Sequence, residues 1–199
     1  MQQTLFPTID EDFFCYIGDF LPPDEADSLL TCLWDQLDWS QYQITLFGQK
    51  VAQPRLSAWY GAPEARYRYS GLQLEPLPWH PLLLGLKTKI EDQLQQEFNS
   101  VLANAYRDGK DSMGWHSDNE EELGPKPLVA SLSVGAERRF LVRKKGNSRA
   151  AGLWLEPGSL LVMKRGCQEI YQHSVPKTRK PVGLRVNLTF RRIRNQPPP

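Results

Sequence analysis

The chain has 199 residues, 40% hydrophobic, 24% charged and 11% aromatic, with a mean hydropathy of −0.50. This fits a single soluble domain able to bury its core unaided. Cys15, Cys32 and Cys167 show no metal-type spacing and cannot all pair. With neither a basic, apolar leader nor a run near the ~18 residues of a membrane span, the reading is an intracellular protein of a reducing compartment, not a secreted scaffold or membrane protein. The net charge of +1 hides a polarity: residues 1–49 hold nine acids and no Lys or Arg, which leaves 24 basic against 14 acidic residues beyond them. Two stretches concentrate the surplus, Arg138, Arg139, Arg143, Lys144, Lys145 and Arg149, then Lys177, Arg179, Lys180, Arg185, Arg191, Arg192 and Arg194. Such clusters suit a polyanion, whose counterions they displace, although a solvated surface has the same composition.

Taken in chain order, the first element is a helix over 22–37. Pro22, Pro23 and Asp24 start it, and Ala26, Leu29, Leu30, Leu33 and Leu37 share a face. Residues 41–71 read as hairpin-rich, with ITLFG and RLSAWYG as strands. A second helix is expected over 80–98, with Leu83, Leu86, Ile90, Leu94 and Phe98 as its stripe. From Val101 the period shortens to eight strand-like runs in about 90 residues, from VLANAYR to RVNLTFRR, separated by Gly and Pro. That density indicates a sandwich or jelly roll, and helices outside it make the class α+β. One domain over 1–199 is expected: helices and a lid to about 100, a core over about 101–193, and a Pro-rich tail over 194–199.

Three histidines occur: His80, His116 and His173. His80 precedes Pro81 at a helix start and reads as structural. His116 and Asp118 stand two apart in a strand-like run, which places both on one face. With His173 they would supply two imidazoles and a carboxylate, the facial set of non-haem Fe(II) oxygenases. A His-x-Asp pair also arises by chance, so the spacing alone leaves the metal reading open. In RVNLTFR, Val186, Leu188 and Phe190 point to the core. Arg185, Asn187, Thr189 and Arg191 take the other face, the two guanidiniums about 20 Å apart at ~3.3 Å per residue. Either that face lies in water on an edge strand, or it points into a barrel and its arginines meet anions. Asn104 and Tyr106 likewise share a face. A small dicarboxylate beside the metal would use all of these groups.

The ordered set NAY (104–106), WHSD (115–118), His173 and RVNLTFR (185–191) resembles the AlkB-type family of Fe(II)- and 2-oxoglutarate-dependent dioxygenases, in its nucleic-acid demethylase branch. PRLSAWYG, YRYSG, DSMGWHSDNEEELG and LVASLSVGAERRF extend the likeness over most of 44–192. The resemblance implies a double-stranded β-helix (jelly-roll) core behind a hairpin-rich substrate lid. It implies Fe(II) on His116, Asp118 and His173. Arg185 would take the distal carboxylate of 2-oxoglutarate, with Asn104, Tyr106, Asn187 and Arg191 as its other contacts. Glu120 would meet the exocyclic amine region of a flipped base, and Tyr67, Tyr69 and Ser70 would form the lid, though the tyrosines also suit plain strand packing. Phe47 matches a finger residue of double-strand-active relatives, or else packs on the protein's own surface.

The implied reaction uses O2 and 2-oxoglutarate to remove N-methyl groups of the 1-methyladenine or 3-methylcytosine type, a direct reversal of damage that releases formaldehyde, succinate and CO2. The expected partner is methylated DNA or RNA, met by a monomer, cytoplasmic in a bacterial host and nuclear in a eukaryotic one. The sequence offers no serine triad or phosphate loop in competition. An RNA or protein substrate, a cupin-type metalloenzyme and a non-enzymatic nucleic-acid-binding module are the rivals. The last two would not need the triad and both arginines together.

Overall fold

Two β-sheets face each other, and the helices lie against the outside of the larger one. The computed structural model describes residues 9–46, 48–69 and 72–194. Strand β1 (Phe14–Ile17) leads to helix α1 (Pro23–Gln36) and to the hairpin β2 (Gln43–Leu46) and β3 (Gln49–Ala52). Next come β4 (Leu56–Gly61), the pair β5 (Tyr67–Tyr69) and β6 (Leu72–Leu74), β7 (Leu77–Pro78) and helix α2 (Pro81–Leu94). The remainder is β8 (Ser100–Tyr106), β9 (Met113–His116), β10 (Val129–Gly135), β11 (Arg138–Lys144), β12 (Ala151–Leu155), β13 (Leu160–Met163), the short α3 (Cys167–Ile170), β14 (Tyr171–Val175) and β15 (Arg185–Arg191). All eight strand-like runs expected after Val101 are strands.

The larger sheet has the order β1-β13-β10-β15-β8-β4-β7, and the smaller one β12-β11-β14-β9. The pairings are antiparallel except β4 with β7. This is the expected α+β arrangement with a jelly-roll core. Strands β1, β4 and β7 carry the first hundred residues into the larger sheet.

Both helices begin on proline at the first turn, where a missing N–H costs nothing. Asp24 and Glu25 add favourable charge at the start of α1. His80 is structural, as read: its Nδ1 accepts from the Leu82 N–H at 3.3 Å and caps α2. The expected stripes, Ala26, Leu29 and Leu33 on α1 and Leu83, Leu86 and Ile90 on α2, pack on Ala103, Ala105, Leu132, Val186 and Leu188.

One expectation is corrected. Helix α2 stops at Leu94, because Gln95 adopts the left-handed conformation with φ 49°, and Glu91 Oε1 accepts the Phe98 N–H at 2.6 Å. Phe98 is therefore core without being helical, its ring 6.2 Å from that of Phe190. Phe190→Ala should remove this aromatic pair and leave a cavity, costing about 3–5 kcal/mol in a denaturant titration.

Candidate active site

The polar face of β15 points inward. The strand sits between β10 and β8, so the edge-strand reading is overturned, and its polar face looks toward the smaller sheet while its apolar face meets the helices. Register then decides which groups meet. Arg185 lies opposite Tyr106, and Asn187 opposite Asn104, on β8; on β10 their partners are Gly135 and Ser133. Small residues on one neighbour leave the long side chains room. Gly135 can be nothing else: its φ is +83°, and an added Cβ would lie 2.4 Å from the Leu184 carbonyl oxygen.

Arg185 is 1% exposed. Its Nη2 donates to Ser133 Oγ at 2.9 Å, and its guanidinium lies 5.1 Å from the Tyr106 ring centroid. Nε and Nη1 are buried without a hydrogen-bond partner. Burial pulls this guanidinium down to about 10, which still leaves it charged at neutral pH. Asn187 Nδ2 donates to Ser131 Oγ at 2.8 Å, and Asn104 Oδ1 accepts from Arg55 Nε at 2.9 Å and Ser57 Oγ at 2.8 Å.

His116, Asp118 and His173 converge. Their candidate ligand atoms all lie within 4.8 Å of one another. His173 on β14 is directly opposite His116 on β9, with ring centroids 4.2 Å apart. Strand alternation, expected to bring Asp118 beside His116, does not place it: β9 ends at His116, and Asp118 reaches the cluster from the following loop. His116 Nδ1 donates to the Gly114 carbonyl at 2.9 Å, which makes Nε2 the nitrogen available for a ligand bond. Phe140 stacks on His173, centroids 5.3 Å apart.

Electrostatics suit a cation. Burial works to raise the Asp118 carboxyl, but the Arg191 guanidinium above all holds it below the usual carboxylate range. Arg191 Nη2 stands 3.3 Å from Asp118 Oδ1, and His173 Nε2 3.7 Å from Oδ2. Burial above all pulls His173 down to about 3, so it is neutral and able to ligate. The fit to iron and 2-oxoglutarate is therefore specific. Two imidazoles and one carboxylate are the donor set of non-haem Fe(II), and the bare Nε and Nη1 of Arg185 offer a carboxylate two donors.

Glu120 follows the cluster, with Oε2 buried and unpartnered. Tyr67 and Tyr69 lie on β5, paired with Leu74 and Leu72. Their side chains, and Phe47 and Ser70 entirely, fall outside the described residues.

The basic stretches are smaller on the surface than their composition suggests. Arg138, Arg185 and Arg191 point inward. Arg138 is buried, donating to the carbonyls of Asp108, Asp111 and Pro176 at 2.8–3.0 Å, with its guanidinium 5.6 Å from the Tyr106 ring centroid. Arg143 lies 4.1 Å from the ring centroid of Trp115. Arg138 therefore ties the loops around Tyr106, a role that a count of charges conceals. The cradle of Ser57, Ser131 and Ser133 also escaped the sequence reading, since serines of a strand carry no signal of their own.

The sequence profile of the 2OG-Fe(II) oxygenase superfamily matches residues 13–191. The "Alpha-ketoglutarate-dependent dioxygenase alkB homolog 3" of Bos taurus is 42% identical over 193 residues, which span 92% of this chain and 67% of that protein. The "DNA oxidative demethylase ALKBH2" of Homo sapiens is 38% identical over 180 residues, covering 85% and 69%. Among solved structures, that of OsALKBH1 superposes with a TM-score of 0.68 at 18% identity, over 96% of this chain and 99% of that one. At that identity the match speaks for the fold.

Proposed function

The chain belongs to the 2OG-Fe(II) oxygenase superfamily, and from that premise we propose that it oxidatively demethylates N-alkylated bases in DNA. Membership makes it an Fe(II)- and 2-oxoglutarate-dependent dioxygenase consuming O2. The observation that carries the substrate is the similarity to relatives named DNA oxidative demethylase over 85% of this chain. The intact set of His116, Asp118, His173 and Arg185 supports turnover over mere binding.

In this reading His116, Asp118 and His173 hold Fe(II). Iron, with 2-oxoglutarate and O2, supplies oxidation of a C–H bond of an N-methyl group; the hemiaminal product falls apart to formaldehyde and the restored base, while the co-substrate leaves as succinate and CO2. Arg185 orients the co-substrate by its distal carboxylate, and Asn104, Tyr106, Asn187 and Arg191 complete its contacts. The apolar wall of Phe140 beside His173 limits water there. The target base must leave the helix to reach a buried centre, at a cost of a few kcal/mol that methylation of its pairing edge reduces. Tyr67, Tyr69 and Ser70 form the lid over that base, a tyrosine ring stacking on it, and Glu120 accepts from its exocyclic amine. The protein acts as a monomer inside the cell. No helix among the described residues is long and apolar enough to cross a membrane.

Mass spectrometry of oligonucleotides carrying 1-methyladenine or 3-methylcytosine tests the proposal, each as single-stranded DNA, duplex DNA and RNA. Loss of about 14 Da per lesion on DNA, one methyl exchanged for hydrogen, supports it. Action on RNA alone moves the substrate to RNA, and no loss on any strand refutes it. Strand preference is tested at Phe47. If it fills the gap that a flipped base leaves, Phe47→Ala should cost duplex activity ~1–3 kcal/mol, the worth of one base–aromatic stack, with single-strand activity near wild type. An unchanged ratio of the two rates, after a melting curve excludes unfolding, returns Phe47 to packing.

A further inference from the structure

Asp118 lies beyond the last paired residue of β9, so no strand ladder satisfies its backbone N–H. A buried N–H without an acceptor is costly, and the side chain of a distant residue takes the role. Gln168, in the short helix immediately ahead of β14, is 0% exposed. Its Oε1 accepts from the Asp118 N–H at 2.9 Å, and its Nε2 donates to Met163 Sδ at 3.3 Å. A second tie runs alongside: Ser117 Oγ donates to the Tyr171 carbonyl at 2.7 Å. The segment carrying His116 and Asp118 is thus fastened to the one that leads into His173. A glutamine with neither charge nor exposure gains nothing from solvent here, and its amide is spent on one backbone group and one sulfur.

We propose that Gln168 is a positioning residue of the metal centre, fixing the Asp118 backbone so that the carboxylate is in place before the ion arrives. This rests on the reading that His116, Asp118 and His173 form that centre. Residues that orient metal ligands typically cost about 10–100-fold in metal affinity when replaced. Gln168→Met keeps the volume and removes the acceptor. Gln168→Glu keeps a carboxyl oxygen facing the same N–H.

Calorimetric titration of Mn(II), an ion that does not turn over, into the metal-free protein reads this without activity. The wild type should bind one ion. Gln168→Met should bind it about 10–100-fold more weakly, and Gln168→Glu should regain most of that loss. Melting temperatures of the metal-free proteins, taken in parallel, separate affinity from folding. A Gln168→Met protein that melts lower yet binds Mn(II) within twofold of wild type overturns the proposal, as does failure of Gln168→Glu to restore affinity. Failure of the wild type itself to bind Mn(II) overturns the assignment of the centre, and this role with it. Should Gln168→Met not fold, hydrogen exchange at the Asp118 amide of the metal-free wild type decides: protection supports the bond, and exchange at an open-chain rate overturns it.

Discussion

His116→Ala should abolish turnover, with no product above background on any methylated oligonucleotide. Replacing a residue that only orients a ligand typically costs about 10–100-fold, and removing one of the three proposed ligands must exceed the upper figure. His116 is also the most replaceable of the three structurally. It closes the end of β9, is half-buried, and among the described residues its side chain hydrogen-bonds only the Gly114 carbonyl, so the variant should melt near wild type and the loss be chemical. Chelation of all metal should have the same effect on the wild type, reversed by added Fe(II). Demethylation persisting undiminished after chelation would refute the oxygenase mechanism in this protein.

Arg185→Lys should raise the KM for 2-oxoglutarate about 10–100-fold while leaving the affinity for methylated oligonucleotide nearly unchanged. Lysine keeps the charge but loses the planar fork. A hydrogen bond to a charged group is worth about 1.5–3 kcal/mol, and each 1.4 kcal/mol is tenfold. The two donors at stake are Nε and Nη1, buried and unpartnered, whereas Nη2 is engaged by Ser133. Steady-state kinetics against 2-oxoglutarate and fluorescence anisotropy of a labelled oligonucleotide separate the two affinities. Equal losses in both would place Arg185 against the nucleic acid instead.

Much of this site was legible because short-range rules govern it. Period-two alternation in RVNLTFR separates Val186, Leu188 and Phe190 from Arg185, Asn187 and Arg191 before any fold is known, and the structure places these sets on opposite faces. The same alternation set Asn104 beside Tyr106. The proximity of Asp118 to His116 was expected for a partly mistaken reason. Alternation requires a strand, and the strand ends at His116; a hydrogen bond from the Asp118 N–H to Gln168, fifty residues away, takes over from the ladder.

What the sequence by itself determined is therefore the chemistry on offer: two imidazoles, a carboxylate, two arginines with Asn104, Tyr106 and Asn187, and the faces on which helices α1 and α2 bury their leucines. Tertiary structure alone decided which of these meet and which charges are available. Arg138, Arg185 and Arg191 stand in basic runs indistinguishable from Lys144 or Arg149 by composition, yet the first three are inside. The position of β15 between β10 and β8 turned its polar face inward, and the antiparallel register put Arg185 against Tyr106 and His173 against His116. Strand order and register arise from contacts between segments dozens of residues apart. A local pattern specifies the face of a strand, but it does not specify the neighbour that strand will face.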